Sequence, residues 1–288
     1  MVKNYLSLIR IPHWIKNLFV FIPVLFSKNL FDKEHFQIVL LAFITFCVAS
    51  SLVYIINDIF DIKSDKIHPA KRYRPLASGK ISIRSALTVI LILSVLLVLL
   101  LSQFNYKFIL VVSAYVLLNF FYSIYLKNIV IVDIICIASG FMLRVIGGGF
   151  VIDVYISSWL ILTTLFVSLF LAVMKRRSEL VAQKAESETR KVLDDYSLDF
   201  INQISSISAA GVIVCYALYS VSARTVEYFH SEHLIYTTIF VVFGIFRYMF
   251  LVYKRSKGEN TVEILLSDIP MIINLGLYIL TIVLIIYF

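Results

Sequence analysis

The stretch ALTVILILSVLLVLLLS, from Ala86 to Ser102, contains no charged residue and is aliphatic on every face. A helix of this kind has no polar side to offer water, and ~20 such residues suffice to cross a bilayer's hydrocarbon core. The same texture recurs along the chain, most plainly from Ile269 to Phe288. Over 288 residues the composition is 60% hydrophobic and 15% charged, whereas a soluble domain has about a quarter of its residues charged. The excess apolar surface therefore faces lipid, and an all-α integral membrane protein is expected. Hydropathy gives nine spans, near 14–31, 36–57, 86–102, 106–124, 129–150, 156–175, 203–223, 233–253 and 267–288. No internal repeat is visible, so residues 1–288 are expected to form a single transmembrane domain.

With the N-terminus inside, the inner segments carry 20 of the 26 Lys and Arg, against four outside and two (Arg144 and Arg247) within spans. The positive-inside rule then places the N-terminus in the cytoplasm of a multi-pass inner-membrane protein. The first apolar run lacks a small-residue cleavage site and is kept as mature chain. Cys47, Cys136 and Cys215 lie apart in apolar runs, without metal or redox spacing, and are expected to be small buried hydrophobes. No nucleic-acid partner is expected, and the sequence leaves the oligomeric state open.

Chemistry concentrates where the second span ends, in YIINDIFDIKSD, residues 54–65. Asp58, Asp61 and Asp65 are spaced i, i+3 and i+7, which on a continuous helix gathers them on one face, with Asn57 at its border. Unpaired by neighbouring helix cations, the face calls for a counter-cation. Hard oxygen donors suit Mg2+, which keeps water and phosphate oxygens in its shell. Directly after come His68, Pro69, Lys71, Arg72 and Arg74. Basic groups following a metal face are what a diphosphate needs, with metal on some oxygens and Arg or Lys on the others. His68 is expected to serve the turn before Pro69 rather than catalysis.

Asn57-Asp58-x-x-Asp61-x-x-x-Asp65, after the second of nine spans, resembles the first aspartate-rich motif of the UbiA family of intramembrane prenyltransferases. The resemblance implies a helical bundle with a central cavity, and transfer of a polyprenyl group from its diphosphate to an acceptor. Most of that family carries a second Asp-x-x-x-Asp motif after the sixth span. Here the corresponding stretch is MKRRSEL, in which only Glu179 is acidic and Lys175, Arg176 and Arg177 precede it; Asp194 and Asp195 have the wrong spacing. One acidic and one basic pole resemble the decaprenyl-phosphate phosphoribosyltransferase branch. Further stretches resemble it too: Arg10-x-Pro12-x-Trp14-x-Lys16-Asn17, Tyr122 to Lys127, and Leu143-Arg144-x-x-Gly147-Gly148.

That branch implies phosphoribosyl pyrophosphate as donor and a polyprenyl phosphate as acceptor, in the making of cell-wall precursors. Asp58, Asp61 and Asp65, with Asn57, are then the catalytic metal ligands. Lys175, Arg176 and Arg177 are candidates for the donor's 5-phosphate, and Lys16, beside Asn17, for the lipid phosphate. The lipid phosphate is already anionic and needs no general base. Asp133 and Arg144, eleven positions apart in the fifth span, are either ribose and phosphate ligands or helix-packing glue. Gly147, Gly148 and Gly149 point to close packing, and Arg247 with Tyr248 to an interfacial anchor. Two rival readings remain: prenyl transfer to a hydroxybenzoate- or naphthoate-type acceptor, and a membrane transporter, whose ionisable groups belong nearer the midplane.

Overall fold

The computed structural model describes residues 2–68, 71–183, 195–255 and 267–288, and the described residues are helical without strands. In chain order these helices are α1 (Val2–Leu8), a 3-10 segment (Ile11–Phe21) running into α2 (Ile22–Leu25), α3 (Lys33–Phe60), α4 (Ile62–Ile67), α5 (Ile83–Leu101) and α6 (Tyr106–Ile124). Then follow α7 (Val132–Val151), α8 (Ser158–Gln183), α9 (Leu198–Val221), α10 (Ala223–Phe229), α11 (Thr238–Arg255) and α12 (Ile269–Tyr287). Among the described residues eight helical spans are long and apolar enough to cross a membrane. A ninth results if Val2–Leu8 and Ile11–Leu25, bent by 43°, count as one. The expected first span, 14–31, thus starts too late. Lys3 and Arg10 depress the hydropathy there, and Pro12 fits the first turn of the 3-10 segment, where no N–H partner is lost.

The starts of these helices are written in the sequence. Asp32, Ser82, Asn105, Ser197 and Asp268 each accept the backbone N–H three residues on, at 2.8–3.1 Å. Such caps satisfy donors that a helix leaves open at its N-terminus. The His35 N–H holds the Asp32 carboxyl below its ordinary range. Along α8, Thr163, Thr164 and Ser168 return their hydroxyls to the carbonyl four residues back, which lets polar side chains sit inside a span.

The chain divides into two compact units: residues 1–24, 29–136 and 143–154, and residues 25–28, 137–142 and 155–288. In the first, α3 is the axis. Val39, Ala42, Phe46, Ala49 and Leu52 pack against Val20, Phe108, Val112 and Tyr115. The apolar window of α3 is 67% buried and that of α5 only 11%, so equally apolar sequences serve as core in one helix and as lipid-facing surface in the other. α7 closes on the 3-10 segment through a glycine. A Cβ on Gly148 would come 2.1 Å from the Val20 carbonyl oxygen, and one on Gly147 3.0 Å from the Phe46 ring. Close packing, as the sequence suggested, is what the glycines serve.

In the second unit Phe170 and Met174 of α8 pack with Ala209 and Val212 of α9 and with Tyr248 and Val252 of α11. Arg247 departs from the expected anchor role. Its Nε and Nη2 donate to the two carboxylate oxygens of Asp268 at 3.0 and 2.9 Å, and Tyr248 is buried against Phe170. A bidentate pair of this kind clasps α11 to the start of α12. The three cysteines are buried thiols.

Candidate functional site

The acidic motif lies in the first unit, where α3 gives way to α4. The break falls on Asp61 (φ −90°, ψ 2°), so the three aspartates do not share one unbroken helix face. The hydrogen bonding still runs through the bend, from Asp61 N–H to the Asn57 carbonyl at 2.9 Å and from Asp65 N–H to the Asp61 carbonyl at 2.8 Å. Asp58 and Asp65 are buried.

As expected, no cation of their own helix pairs with these carboxylates among the described residues, but other segments of the chain supply the counter-charges. Arg10 and Arg74 both donate to Oδ1 of Asp58, Arg74 at 3.2 Å, and the same Arg74 nitrogen reaches Oδ2 of Asp65 at 2.6 Å. Lys127 pairs with Oδ1 of Asp61, while Asn57 donates to its Oδ2 at 2.9 Å. The cations come from other segments of the chain, which helix spacing does not reveal. Among the described residues no three His, Cys, Asp or Glu side chains converge as a ready metal cage. The donor chemistry nevertheless fits a hard dication, because oxygens of Asp58 and Asp65 already converge on a single cationic nitrogen.

Arg10 is the site residue that the motif reading passed over. It adopts a left-handed conformation (φ 54°) ahead of the 3-10 segment, and its guanidinium lies 4.9 Å from the centre of the Tyr54 ring. The segment is pinned to α3, with Trp14 donating to Ser51 at 3.0 Å and Ser51 donating to the Ile9 carbonyl at 2.9 Å. The presence of Arg10 in the Arg10-x-Pro12-x-Trp14-x-Lys16 stretch was the available signal.

Of the other basic residues, Arg72 does not reach the aspartates; it is exposed and spent on Tyr73, donating to its hydroxyl at 2.8 Å. The Lys71 N–H is accepted by the His68 ring at 3.3 Å, so His68 closes the turn. Pro69 and Asp194 lie outside the described residues. Tyr122 is half-buried in the last turn of α6.

Deeper in the same unit, Asn17 is fully buried and donates toward Cys47 at 3.2 Å and Ser50 at 3.3 Å. Its carbonyl accepts from Nε of Arg144 at 2.7 Å, and Nη2 of Arg144 donates to the Tyr115 hydroxyl at 2.9 Å. Lys16 lies near enough to feel the charges of Arg144 and Arg10. The buried Arg144 is thus tied to the 3-10 segment and to α6, an arrangement that a polar group inside a membrane protein requires. Asp133 is fully buried in the first turn of α7, two residues after Ile131, whose φ of 70° is strained for a β-branched residue.

In the second unit the basic stretch separates by helix position. Arg176 is fully buried and paired with Glu179, which Lys175 approaches at 3.9 Å. Arg177 turns away: Nε donates to Asn202 at 3.0 Å and the guanidinium stacks 3.6 Å from the centre of the Tyr253 ring. Lys175 and Arg176 stand four and three residues before Glu179 and so meet it, whereas Arg177 stands two before it and faces away; the expected cluster of three cations is a pair plus a packing residue.

An all-helical bundle of membrane-spanning length, with a charge-matched aspartate motif where one span ends, defines a multi-pass membrane protein with a polar site at a helix end. The sequence matches the UbiA prenyltransferase family over residues 20–266, and the chain belongs to that family. It is a transferase. It is 32% identical over 227 residues to the decaprenyl-phosphate phosphoribosyltransferase of Mycolicibacterium smegmatis, covering 77% of this chain and 71% of that protein. The protein of the same name from Corynebacterium glutamicum is 30% identical over 76% of this chain and 68% of its own length. In fold the chain is similar to a UbiA homologue from Archaeoglobus fulgidus bound to GPP and Mg2+ (TM-score 0.74, 19% identity, 99% of this chain and 100% of that one). Together these make it a UbiA-family transferase.

Proposed function

We propose that the chain transfers a 5-phosphoribosyl group from phosphoribosyl pyrophosphate to a decaprenyl-type polyprenyl phosphate, releasing diphosphate. The observation that carries this reading is its likeness, along about three quarters of its length, to proteins named for that reaction. The site's chemistry supports it. Asp58 and Asp65, with Asp61 and Asn57 beside them, are the groups that would hold Mg2+. When bound, that ion supplies positive charge to the departing diphosphate. Arg74, Arg10 and Lys71 would bind the remaining diphosphate oxygens, and Lys16 the lipid phosphate, whose anionic oxygen attacks the ribose carbon as diphosphate leaves. Lys175 and Arg176, with Glu179 as resident partner, are the candidates for the donor's 5-phosphate, and Tyr122 and Asp133 for sugar contacts. Arg144 positions Asn17 and the 3-10 segment.

The test is purified protein with ribose-labelled donor, Mg2+ and polyprenyl phosphate, followed by organic extraction. Label in the lipid phase is expected. Its absence, together with prenylation of a hydroxybenzoate or naphthoate from a prenyl diphosphate, would assign the chain to the rival branch. We also propose that residues 1–288 act as one transmembrane domain in the inner membrane, with the aspartates facing the cytoplasm. In intact cells, an impermeant thiol reagent should label a single cysteine at position 28 and spare one at 68; the reverse pattern refutes that orientation.

A further inference from the structure

Asp58 and Asp65 are 3% and 4% exposed, and bare carboxylates at that depth are costly. The chain supplies their counter-charge itself. Three cations, Arg10, Arg74 and Lys127, stand against three carboxylates, and Oδ1 of Asp58 carries both arginines. A dication that takes these oxygens must displace the cations. Alone, it would leave a part-buried site with uncompensated positive charge, whereas a diphosphate arriving with it restores the balance and offers the displaced cations new oxygens.

None of the three cations sits in the interior of an α-helix. Arg10 lies between α1 and the 3-10 segment, Arg74 in the turn after Lys71–Tyr73, and Lys127 in the short 3-10 turn after α6. Each therefore has a side chain that can swing without unwinding a span. While paired with Asp58, the Arg10 guanidinium also rests against the Tyr54 ring.

We propose that Arg10, Arg74 and Lys127 are exchangeable counter-ions: they occupy the aspartates in the resting protein and move to diphosphate oxygens when metal and diphosphate enter together. The proposal rests on reading the aspartates as metal ligands. Its consequence is a coupling between two ligands, in which metal alone binds weakly, and the cations are the cause of that weakness.

The experiment is Mn2+ binding to the full-length protein in detergent, read by the electron paramagnetic resonance of free Mn2+. It is run with and without inorganic diphosphate, and corrected for Mn2+–diphosphate complexes in the buffer. Wild type should bind Mn2+ weakly alone and about tenfold more tightly with diphosphate, within the usual range of coupling between sites. Arg74→Gln should bind Mn2+ alone about tenfold more tightly than wild type and lose most of the gain from diphosphate. Lys127→Gln, from a separate segment, should shift the same way, which guards against one variant failing to fold. A residue that merely holds the turn together would weaken Mn2+ binding when replaced. If both variants bind Mn2+ no better than wild type while Asp58→Asn abolishes binding, the exchange is wrong and the metal reading stands. If Asp58→Asn binds Mn2+ like wild type, the metal reading falls as well.

Discussion

The two charged regions solve the same problem by different means. At the end of α3 the aspartates draw their counter-charges from other segments of the chain: Arg10 is 48 residues from Asp58, Lys127 is 66 from Asp61, and Arg74 is nine from Asp65. In α8 the buried Arg176 finds its partner three residues on, at Glu179. A charge matched within one helical turn is fixed with the helix, because both side chains leave the same rigid backbone. Charges matched across segments depend on how loops and helices meet, and they can be unmatched without unfolding either element. The acidic end is therefore the region suited to exchanging partners, and the basic end is suited to staying as it is.

The sharpest way to break this contrast is at the aspartates. Asp58→Asn, Asp61→Asn and Asp65→Asn should each remove turnover, because a lost metal ligand at a charge-stabilising site costs several kcal/mol of transition-state stabilisation. The proteins should stay monodisperse, since packing around Phe46 and Phe108 does not depend on these groups. Full-rate turnover by two of the three, checked by the lipid-phase label, removes the motif from the chemistry.

A smaller effect is expected in α8. Arg176→Ala should raise the apparent KM for the donor by roughly tenfold to a hundredfold, as a charge-assisted bond in a buried setting implies, and leave that for the lipid nearly unchanged. Arg177→Ala should spare both KM values and lower the melting temperature instead, because its guanidinium packs on Asn202 and Tyr253. Equal KM effects from the two variants would mean that the helix-position argument misassigns them.

Much of this was legible from residues alone. Apolar runs marked the spans, and the glycines at 147 and 148 pointed to close packing. The aspartate spacing located the site. Arg74, nine residues after Asp65, was in view in the basic stretch, but the pairings of Arg10 and Lys127 were hidden, because pairs 48 and 66 positions apart leave no periodic trace, and the break at Asp61 has no Gly or Pro to signal it. The first span was misplaced for a related reason. Arg10 looks like a charge that ends a span, until Asp58 is found to neutralise it. Arg247 looked like an anchor at the membrane surface because its partner, Asp268, lies on another helix.

The most direct measurement of the central claim is release of diphosphate from donor labelled in its β-phosphate by the purified protein. Release is expected only when polyprenyl phosphate and Mg2+ are both present, equimolar with ribose entering the lipid phase, and abolished by EDTA and by Asp58→Asn. Near-normal release in EDTA, or release from the Asp58→Asn protein at the wild-type rate, would contradict it.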